Sequence, residues 1–450
     1  MWVPQISNRR PLYRAIAEAI REAIDAGVLV SGGRLPPQRH LARKLRVNLS
    51  TVTKAYAFAR ETGLVDGEVG RGTFVRYSPR LGDVPWPRSP PNLIDLSSNF
   101  PVLAAGETEL AAAVRSIGGE GAARKLFGYL PNAALPRHLE AGAKWLADLG
   151  APARPDRILL TSGAIHAVFA CLLALGRSGQ TIIVEELTSP SLIGACNMLG
   201  LRIVGAPMDA NGVRPEELER LLATTEAKLV HLTPNLQNPS LAIIDGKRRK
   251  QIARVLQRHG AILIEDAAYG PLLSNREQPF AALIPNSVCY VSSLSKSVAP
   301  GLRVGYVLAP KALCDRLRSA LQVTTWMTSP ITAGIAARWI TDGTASALIQ
   351  RQRQTTLERQ RLARALLAEY AIIGNEHALH VWLSLPGPWR STEFAEYARS
   401  RGVAVLPSEN MAAEAGYRPQ FVRVSLGAVS DLEDLTQGLS IVRQILAGTC

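Results

Sequence analysis

Four polar residues follow apolar runs of the chain, and together they could carry out amine chemistry. Lys296 stands in "SSLSKSVAPGLR", where its amine could form a Schiff base with an aldehyde. Asp266 follows the run "AILI" and could hold a positively charged nitrogen, while Asn238 follows "KLVHL" and Ser162 follows "RILL". Taken singly, each has an ordinary structural role, such as a helix cap for Asp266 or a solvated charge for Lys296.

The requirements of pyridoxal 5′-phosphate match this set of residues. Its aldehyde needs an amine such as Lys296, and its pyridine nitrogen needs an anion such as Asp266 so that the ring can withdraw electrons. Its phenolic oxygen needs hydrogen-bond partners, for which Asn238 and Tyr269 are suited. Desolvation and the nearby Arg303 would favour the neutral amine of Lys296. We predict a phosphate cradle made of Ser162, Gly163, Ala164, Ser293 and Arg303.

The predicted secondary structure brings these residues to one edge of a sheet. From about residue 93 onward, continuous apolar runs alternate with helical patterns, which is typical of an α/β fold with a buried parallel sheet. In such sheets, ligands bind beyond the carboxyl ends of the strands. After about residue 310 the chain is mostly helical, with late strands at "LHVWLSLP" and "FVRVSL". We therefore predict a large subdomain at about 128–310 and a small subdomain at about 93–127 and 311–450.

The first 76 residues, which we call the head, have a different pattern. Three helices are predicted at "PLYRAIAEAIREAIDAG", "PPQRHLARKLRV" and "NLSTVTKAYAFARETG", with Ser50 or Asn48 as the N-cap of the third. Two short strands in "LVDGEVGRGTFVR" complete a winged helix-turn-helix, whose third helix would enter the major groove of DNA. The predicted DNA contacts are Arg39, Asn48, Ser50, Thr51, Lys54 and, at the wing tip, Arg71.

The charge distribution favours double-stranded DNA as the partner of the head. The 450 residues carry a net charge of +14, and fourteen basic against six acidic residues place +8 of it in residues 1–80. A hydrophobic fraction of 47% and a charged fraction of 20% exclude a chain that is disordered throughout. Five prolines in residues 77–92, "YSPRLGDVPWPRSPPN", predict a semi-rigid linker between the head and residues 93–450, which we call the body.

The cysteine spacing and the apolar runs bear on disulfides, metal sites and the location of the protein. The five cysteines have no paired spacing, so neither a disulfide framework nor a metal site is predicted. The first residues lack the apolar stretch of a signal peptide, and no apolar run approaches the ~20 residues that span a bilayer. We therefore expect a cytoplasmic protein that does not enter the membrane.

Both parts of the chain resemble known families. The head resembles the GntR-type winged helix-turn-helix family in "LPPQRHLARKLRVNLSTVTKAYAFARETGLV" and "GRGTFV". The body resembles the fold-type I, aspartate-aminotransferase-like family in "TSGA", "NPS", "DAAYG" and "SLSKSVAPGLRVGY". This second resemblance implies that Arg423, in "FVRVSLG", binds the α-carboxylate of a substrate or effector. It also implies that Tyr129, in "FGYLP", reaches the phosphate of a neighbouring subunit, and hence a homodimer.

The order of head, linker and body resembles the MocR subfamily of GntR-type regulators. This resemblance implies a transcriptional regulator, a head-to-tail homodimer that binds an operator, and sensing of pyridoxal phosphate or of an amine or amino acid that forms an aldimine with it. The alternative is an active aminotransferase with an accessory DNA-binding head. The stretch "VEELTSPSL" has Ser189 or a neighbour, and no aromatic residue, where the family has an aromatic ring that stacks on the cofactor. His166 could either replace that ring or pack between helices. This departure favours sensing and leaves turnover open.

Overall fold

The chain is described in two units. The computed structural model describes residues 2, 4, 11–25, 28–29, 34–62, 64–68, 72–75, 93–103, 106–118, 128–130, 135–387, 389–414, 417 and 419–448. The first compact unit comprises residues 1–80 with 415–418, and the second comprises 81–414 with 419–450. The predicted linker at 77–92 and the wing-tip Arg71 lie outside the described residues.

The first unit contains the predicted three helices and hairpin. Its elements are α1 (Leu12–Asp25), α2 (Gln38–Leu45), α3 (Leu49–Glu61), β1 (Val65–Glu68) and β2 (Gly72–Val75). The two strands pair antiparallel, with Val65 opposite Val75. Ile16 and Ile20 lie one helical turn apart on α1 and pack in one core with Val52 and Ala55 of α3. The winged helix-turn-helix prediction is confirmed.

The second unit is built on a seven-stranded sheet. Its strands, in spatial order, are β4 (Ile158–Thr161), β12 (Gly305–Leu308), β11 (Val288–Ser293), β10 (Ile262–Asp266), β9 (Leu229–Leu232), β5 (Thr181–Glu185) and β6 (Arg202–Ala206). Neighbouring strands are parallel, except that β12 runs antiparallel to both β11 and β4. The sequence predicted a parallel sheet throughout, so the direction of β12 differs from the prediction. An apolar run indicates a strand that is buried on both faces, but it does not indicate the direction of that strand.

The described helices of this unit pack around the seven-stranded sheet or around a smaller sheet. They are α4 (Glu107–Gly118), α5 (Pro136–Asp148), α6 (Ala164–Leu175), α7 (Pro190–Met198), α8 (Pro215–Thr225), α9 (Gly246–His259), α10 (Phe280–Leu283), α11 (Cys314–Thr325), α12 (Pro330–Thr341), α13 (Thr344–Leu366), α14 (Ser391–Ser400) and α15 (Leu432–Ala447). Ile183 packs in a cluster with α5, and its neighbour Ile182 packs in another with α6, as expected for alternating side chains. Leu317 of α11 and Ile335 of α12 join these clusters, although the sequence prediction assigned both helices to the small subdomain.

A four-stranded antiparallel sheet lies in the same unit. Its spatial order is β13 (Ile372–Ile373), β14 (His380–Ser384), β17 (Phe421–Ser425) and β16 (Leu406–Pro407). Two strand pairs complete the unit: β3 (Ile94–Asp95) with β15 (Val403–Ala404), and β7 (Met208–Asp209) with β8 (Gly212–Val213). Val422 and Val424 face the cluster formed with α13 to α15, so the alternate residue Arg423 points to the other face. Among the described helices, none is long and apolar enough to cross a membrane.

Candidate functional site

The predicted site residues of the body meet at one edge of the seven-stranded sheet. Asp266 is the last residue of β10, Ser162 follows β4 directly, and Lys296 comes three residues after β11. The antiparallel direction of β12 brings its first residues to the same edge, so Arg303, two residues ahead of β12, lies there as well. Asn238, in the loop after β9, completes the set.

Arg303 joins the two loops that form the predicted phosphate cradle. Its Nη2 atom donates to the carbonyl oxygen of Ser162 at 3.2 Å, and its Nη1 atom donates to the Ser295 hydroxyl at 3.3 Å. Gly163 has a positive φ of 90°, and a Cβ atom there would lie 2.7 Å from Nη2 of Arg303. A side chain at position 163 would therefore strain the backbone and displace the guanidinium, and Ala164 presents the N-terminus of α6 beside it.

Lys296 and Asp266 have opposite pKa shifts. Burial lowers the pKa of Lys296 to about 8, with help from the positive charges of Arg423 and Arg303 and against the charge of Asp266. Burial raises the pKa of Asp266, against the hydrogen bond that the Ala268 N–H donates to it at 2.9 Å and the charge of Lys296. A substantial neutral fraction of Lys296 is therefore present near neutral pH, which a nucleophilic amine requires.

A buried histidine stands behind Asp266. Nε2 of His231 lies 4.0 Å from Oδ2 of Asp266, and burial lowers the pKa of His231 to about 4. The histidine is therefore neutral at pH 7 and leaves Asp266 without a cationic partner on that side. Because His231 is neutral, it does not compete with a bound cationic group for the carboxylate of Asp266.

Arg423 connects three distant segments of the chain. Its Nη1 atom donates to the side-chain oxygen of Asn238 at 2.9 Å, and its Nη2 atom donates to the carbonyl oxygen of Ser97 at 2.6 Å. Burial lowers its pKa to about 10, so it remains a cation at neutral pH. A buried guanidinium with this geometry can bind a carboxylate through two parallel hydrogen bonds.

Asn99 belongs to the site but was not predicted. Its carbonyl oxygen accepts a hydrogen bond from Nζ of Lys296 at 2.5 Å, and its side-chain amide donates to the Tyr269 hydroxyl at 3.0 Å. Burial raises the pKa of Tyr269 to about 12, which keeps the phenol protonated. The signal in the sequence is the polar group "SSN" directly after "LIDL", in which three of the four residues are apolar.

Two residues that bear on cofactor stacking have structural roles in this unit. The Ser189 hydroxyl accepts a hydrogen bond from the Leu192 N–H at 3.2 Å and caps α7. Nδ1 of His166 accepts from the Ser162 N–H at 3.1 Å, and Nε2 lies 2.8 Å from the Thr324 hydroxyl. Both nitrogens of His166 are engaged, so the interpretation of this residue as helix packing is the one that the contacts favour.

The cluster fits pyridoxal 5′-phosphate. It offers a largely desolvated amine, a buried carboxylate and a cradle that a Cβ at Gly163 would fill. Within the described part of the chain, three buried polar atoms around it have no hydrogen-bond partner: Oδ1 of Asn99, Nδ1 of His231 and Nε of Arg423. When bound, the cofactor supplies an electron sink for chemistry at an amine.

The head presents polar side chains at the start of α3. Arg39, Ser50 and Lys54 are exposed, and Thr51 is half-buried. Asn48 is the N-cap of α3, and its side-chain oxygen accepts hydrogen bonds from the Ser50 N–H at 3.0 Å and the Ser50 hydroxyl at 3.1 Å. The two polar side chains at the tip of the helix thus hold each other in place. Their DNA contacts stay predictions.

Two family models match the chain, one for each part. The model described as bacterial regulatory proteins, gntR family, matches residues 12–75. The model described as aminotransferase class I and II matches residues 91–442, which is more than half of the chain. This second family implies pyridoxal 5′-phosphate as the cofactor of the body, in agreement with the residues at the sheet edge.

Several relatives share both parts. The chain is 32% identical to the HTH-type transcriptional regulator YdeF of Bacillus subtilis (strain 168), over 99% of this chain and 96% of the relative. It is 30% identical to the vitamin B6 salvage pathway transcriptional repressor PtsJ of Salmonella typhimurium, over 84% and 86%. It is 26% identical to a protein of Rhizobium meliloti described as a probable rhizopine catabolism regulatory protein, MocR, over 82% and 80%.

Solved structures support the fold of the body. An archaeal alanine:glyoxylate aminotransferase superposes with a TM-score of 0.73 at 21% identity, over 80% of this chain and 91% of the other. The aminotransferase-like fold predicted from the sequence is confirmed. Together with the DNA-binding head and the matched relatives, it identifies the chain as a member of the MocR-type transcriptional regulators, in which a GntR-family helix-turn-helix domain precedes an aminotransferase class I and II domain.

Proposed function

We propose that this regulator is a cytoplasmic homodimer that binds pyridoxal phosphate through Lys296. Its affinity for operator DNA changes when an amine or amino acid binds. The observation that carries the proposal is the meeting of Lys296, Asp266 and Arg303 at one sheet edge. The domain bounds that go with it are a head at 1–76, a linker at 77–92 and a body at 93–450.

Each site residue has a proposed task toward the cofactor. Lys296 supplies the amine that attaches it, Asp266 holds the pyridine nitrogen, and Asn238 with Tyr269 binds the phenolic oxygen. The phosphate is held by the cradle Ser162, Gly163, Ala164, Ser293 and Arg303. The hydrogen bonds of Arg303 to the Ser162 carbonyl and the Ser295 hydroxyl support this assignment, because together they join the two loops of the cradle.

Arg423 supports a carboxylate-bearing effector. It is a buried cation, and its Nε atom has no partner within the described residues. One of its three hydrogen bonds goes to the Ser97 carbonyl, a neutral acceptor that a carboxylate would outcompete. The relative PtsJ is a vitamin B6 salvage pathway transcriptional repressor, which supports a vitamin B6 compound as a second regulatory ligand.

Exposed apolar side chains support the dimer. The Tyr129 side chain is 80% exposed, and its ring meets the Trp326 ring edge-on at 5.6 Å. Val323, three positions before Trp326, is 77% exposed. Ile165, which follows Ala164 of the cradle, is 60% exposed. A second copy that covers these side chains would bring Tyr129 to the partner's cradle, in a head-to-tail arrangement.

The test of cofactor attachment uses Lys296→Ala beside Lys311→Ala, an exposed lysine fifteen positions later in the sequence. Full-length protein is mixed with pyridoxal phosphate, and its visible absorbance is recorded before and after borohydride reduction. We expect a visible band and a stable mass adduct for the wild type and Lys311→Ala, and neither for Lys296→Ala. A wild-type protein without the band overturns the proposal.

Regulation is tested through DNA binding. The affinity of the full-length protein for its own upstream region is measured with and without pyridoxal phosphate and a panel of amines and amino acids. We expect a ligand-dependent change in Kd that Arg423→Ala abolishes for carboxylate ligands only. Rapid multiple-turnover transamination with an unchanged Kd would favour the aminotransferase alternative.

A further inference from the structure

A groove in the head lies between the wing and the two helices of the helix-turn-helix. It has a volume of about 360 Å³, and its lining includes Arg34, Pro36, Pro37, Arg39, Leu49 and Thr73. The two prolines and Leu49 give this lining an apolar part, beside the polar side chains of Gln38 and Thr73. Two arginines stand at the same groove, so it combines an apolar surface with positive charge.

The two arginines leave their charge available. Arg34 and Arg39 are both exposed, and no carboxylate among the described residues pairs with either of them. Arg34 bridges to Phe74 of the wing strand β2, and a Cβ at Gly72 would lie 2.9 Å from Nε of Arg34. The missing side chain at position 72 thus lets Arg34 lie across the strand, where its guanidinium can meet a phosphate.

Leu49 is an exposed apolar residue of this groove, as is Pro37. Leu49 is the first residue of α3, and its side chain is 39% exposed. The first residues of the third helix are the ones that meet base edges in a winged helix-turn-helix. The polar residues beside Leu49 are occupied in part, since Asn48 and Ser50 bond to each other.

We propose that Leu49 is a specificity-determining residue that contacts the C5 methyl group of a thymine in the operator, while Arg34 and Arg39 bind the adjacent phosphates. Thymine is the base that presents an apolar group in the major groove. Its methyl group lies on the side of the base next to the backbone of its own strand. In the groove, Leu49 would contact the methyl group, and Arg34 and Arg39, which have no carboxylate partner among the described residues, would contact the phosphates beside it.

The inference rests on the proposed DNA-binding function and is tested with uracil. Duplexes are first selected from a random-sequence pool by the full-length protein, and each thymine is then replaced by uracil, which lacks only the methyl group. We expect one thymine in each half-site whose replacement raises Kd by about fourfold, the effect of removing one buried methyl group. The titrations are done at one fixed salt concentration.

The variants tie this effect to Leu49. In Leu49→Ala the thymine and uracil duplexes should bind with equal Kd, and in Leu49→Met the difference should persist. Leu12→Ala is the matched control, because Leu12 is 37% exposed on α1 and should keep the full fourfold difference. Thermal unfolding of each variant excludes a folding defect.

The outcomes separate the two levels of the proposal. If no duplex is enriched, DNA binding itself fails. If duplexes are enriched but no thymine depends on its methyl group, or if Leu49→Ala keeps the dependence, the role of Leu49 is overturned and DNA binding stands. Arg34→Ala should weaken all duplexes equally and reduce the slope of log Kd against log salt by about 0.9.

Discussion

The head and the body arrange their binding residues in opposite ways. In the head, Arg39 and Lys54 are exposed and make no described side-chain bond to each other. In the body, Lys296, Arg423 and Arg303 each donate a hydrogen bond to another part of the unit. We therefore expect the free-energy effects of substitutions in the head to be additive. In the body, a substitution at one of these residues should change the hydrogen bonding and pKa of the others.

The largest effect should come from breaking a buried pair in the body. Arg249 and Glu265 are fully buried with Nη1 and Oε1 3.7 Å apart, so Arg249→Met leaves a buried carboxyl group without its cationic partner, held only by the N–H groups of Phe280 and Ala281. We expect the free energy of unfolding to fall by about 3–5 kcal/mol. Arg21→Met is the head counterpart, since its pair with Glu18 is exposed, and it should lower the value by less than about 1 kcal/mol.

Denaturant unfolding at pH 7 measures both variants. A loss for Arg249→Met no greater than that for Arg21→Met would break the comparison between a coupled body and an independent head.

Glu185 should make the stability of the body depend on pH. Burial raises its pKa from 4.5 to about 8, so the folded chain keeps this proton while the unfolded chain releases it. The folded state therefore loses stability as pH rises from about 4.5 to about 8, and the loss is constant above that. Glu185→Gln removes the effect, so its stability relative to the wild type should rise by a few kcal/mol, to order of magnitude, between pH 5 and 8.5.

Denaturant midpoints at the two pH values give this difference directly. A variant that tracks the wild type at both values would show that Glu185 is already ionised in the folded protein.

A smaller effect is expected at the start of α3. Asn48→Ala removes the side chain that accepts the Ser50 N–H, and the head should lose about 1 kcal/mol of stability. Asn48→Asp keeps the acceptor and should retain most of it. Thermal unfolding followed by circular dichroism measures both, and equal losses in the two variants would show that the cap contributes nothing.

The smallest effects should be those of single phosphate contacts in the head. Arg39→Ala and Lys54→Ala should each reduce the slope of log Kd against log salt by about 0.9, and the double variant should show the sum. Operator titrations at several salt concentrations provide the slopes. A double variant that departs from additivity by more than about 0.5 kcal/mol would contradict the independence of these residues.

The sequence allowed the prediction of those site residues that stand next to the end of a buried run. Lys296, Asp266 and Arg303 were predicted in this way, and the structure places them at one edge of the sheet, while their roles toward a cofactor stay predictions. Asn99 was missed because its partners Tyr269 and Lys296 lie 170 and 197 positions away, and no local pattern encodes such a contact. The direction of β12 was missed for a similar reason, since strand direction depends on the whole sheet.

Local competition explains other differences. Asn48 and Ser50 are suited both to capping a helix and to contacting a base. In the structure of the chain alone, the Ser50 N–H donates to the side chain of Asn48, so the capping role is the one observed. His166 suits both a ring stack and a helix contact, and its two nitrogens find partners in Ser162 and Thr324. Composition cannot rank such options, because each depends on neighbours supplied by the rest of the fold.

The three-way junction at Arg423 has a consequence for biosynthesis. The chain must be made from Ser97 through Arg423, a span of 326 positions, before this guanidinium can meet its partners. The core of the head consists of residues near the beginning of the chain and needs none of that span. On the ribosome, the core of the head can therefore form long before the pocket that we propose for a carboxylate, and a prematurely terminated product would keep the helix-turn-helix domain without the pocket that is proposed to regulate it.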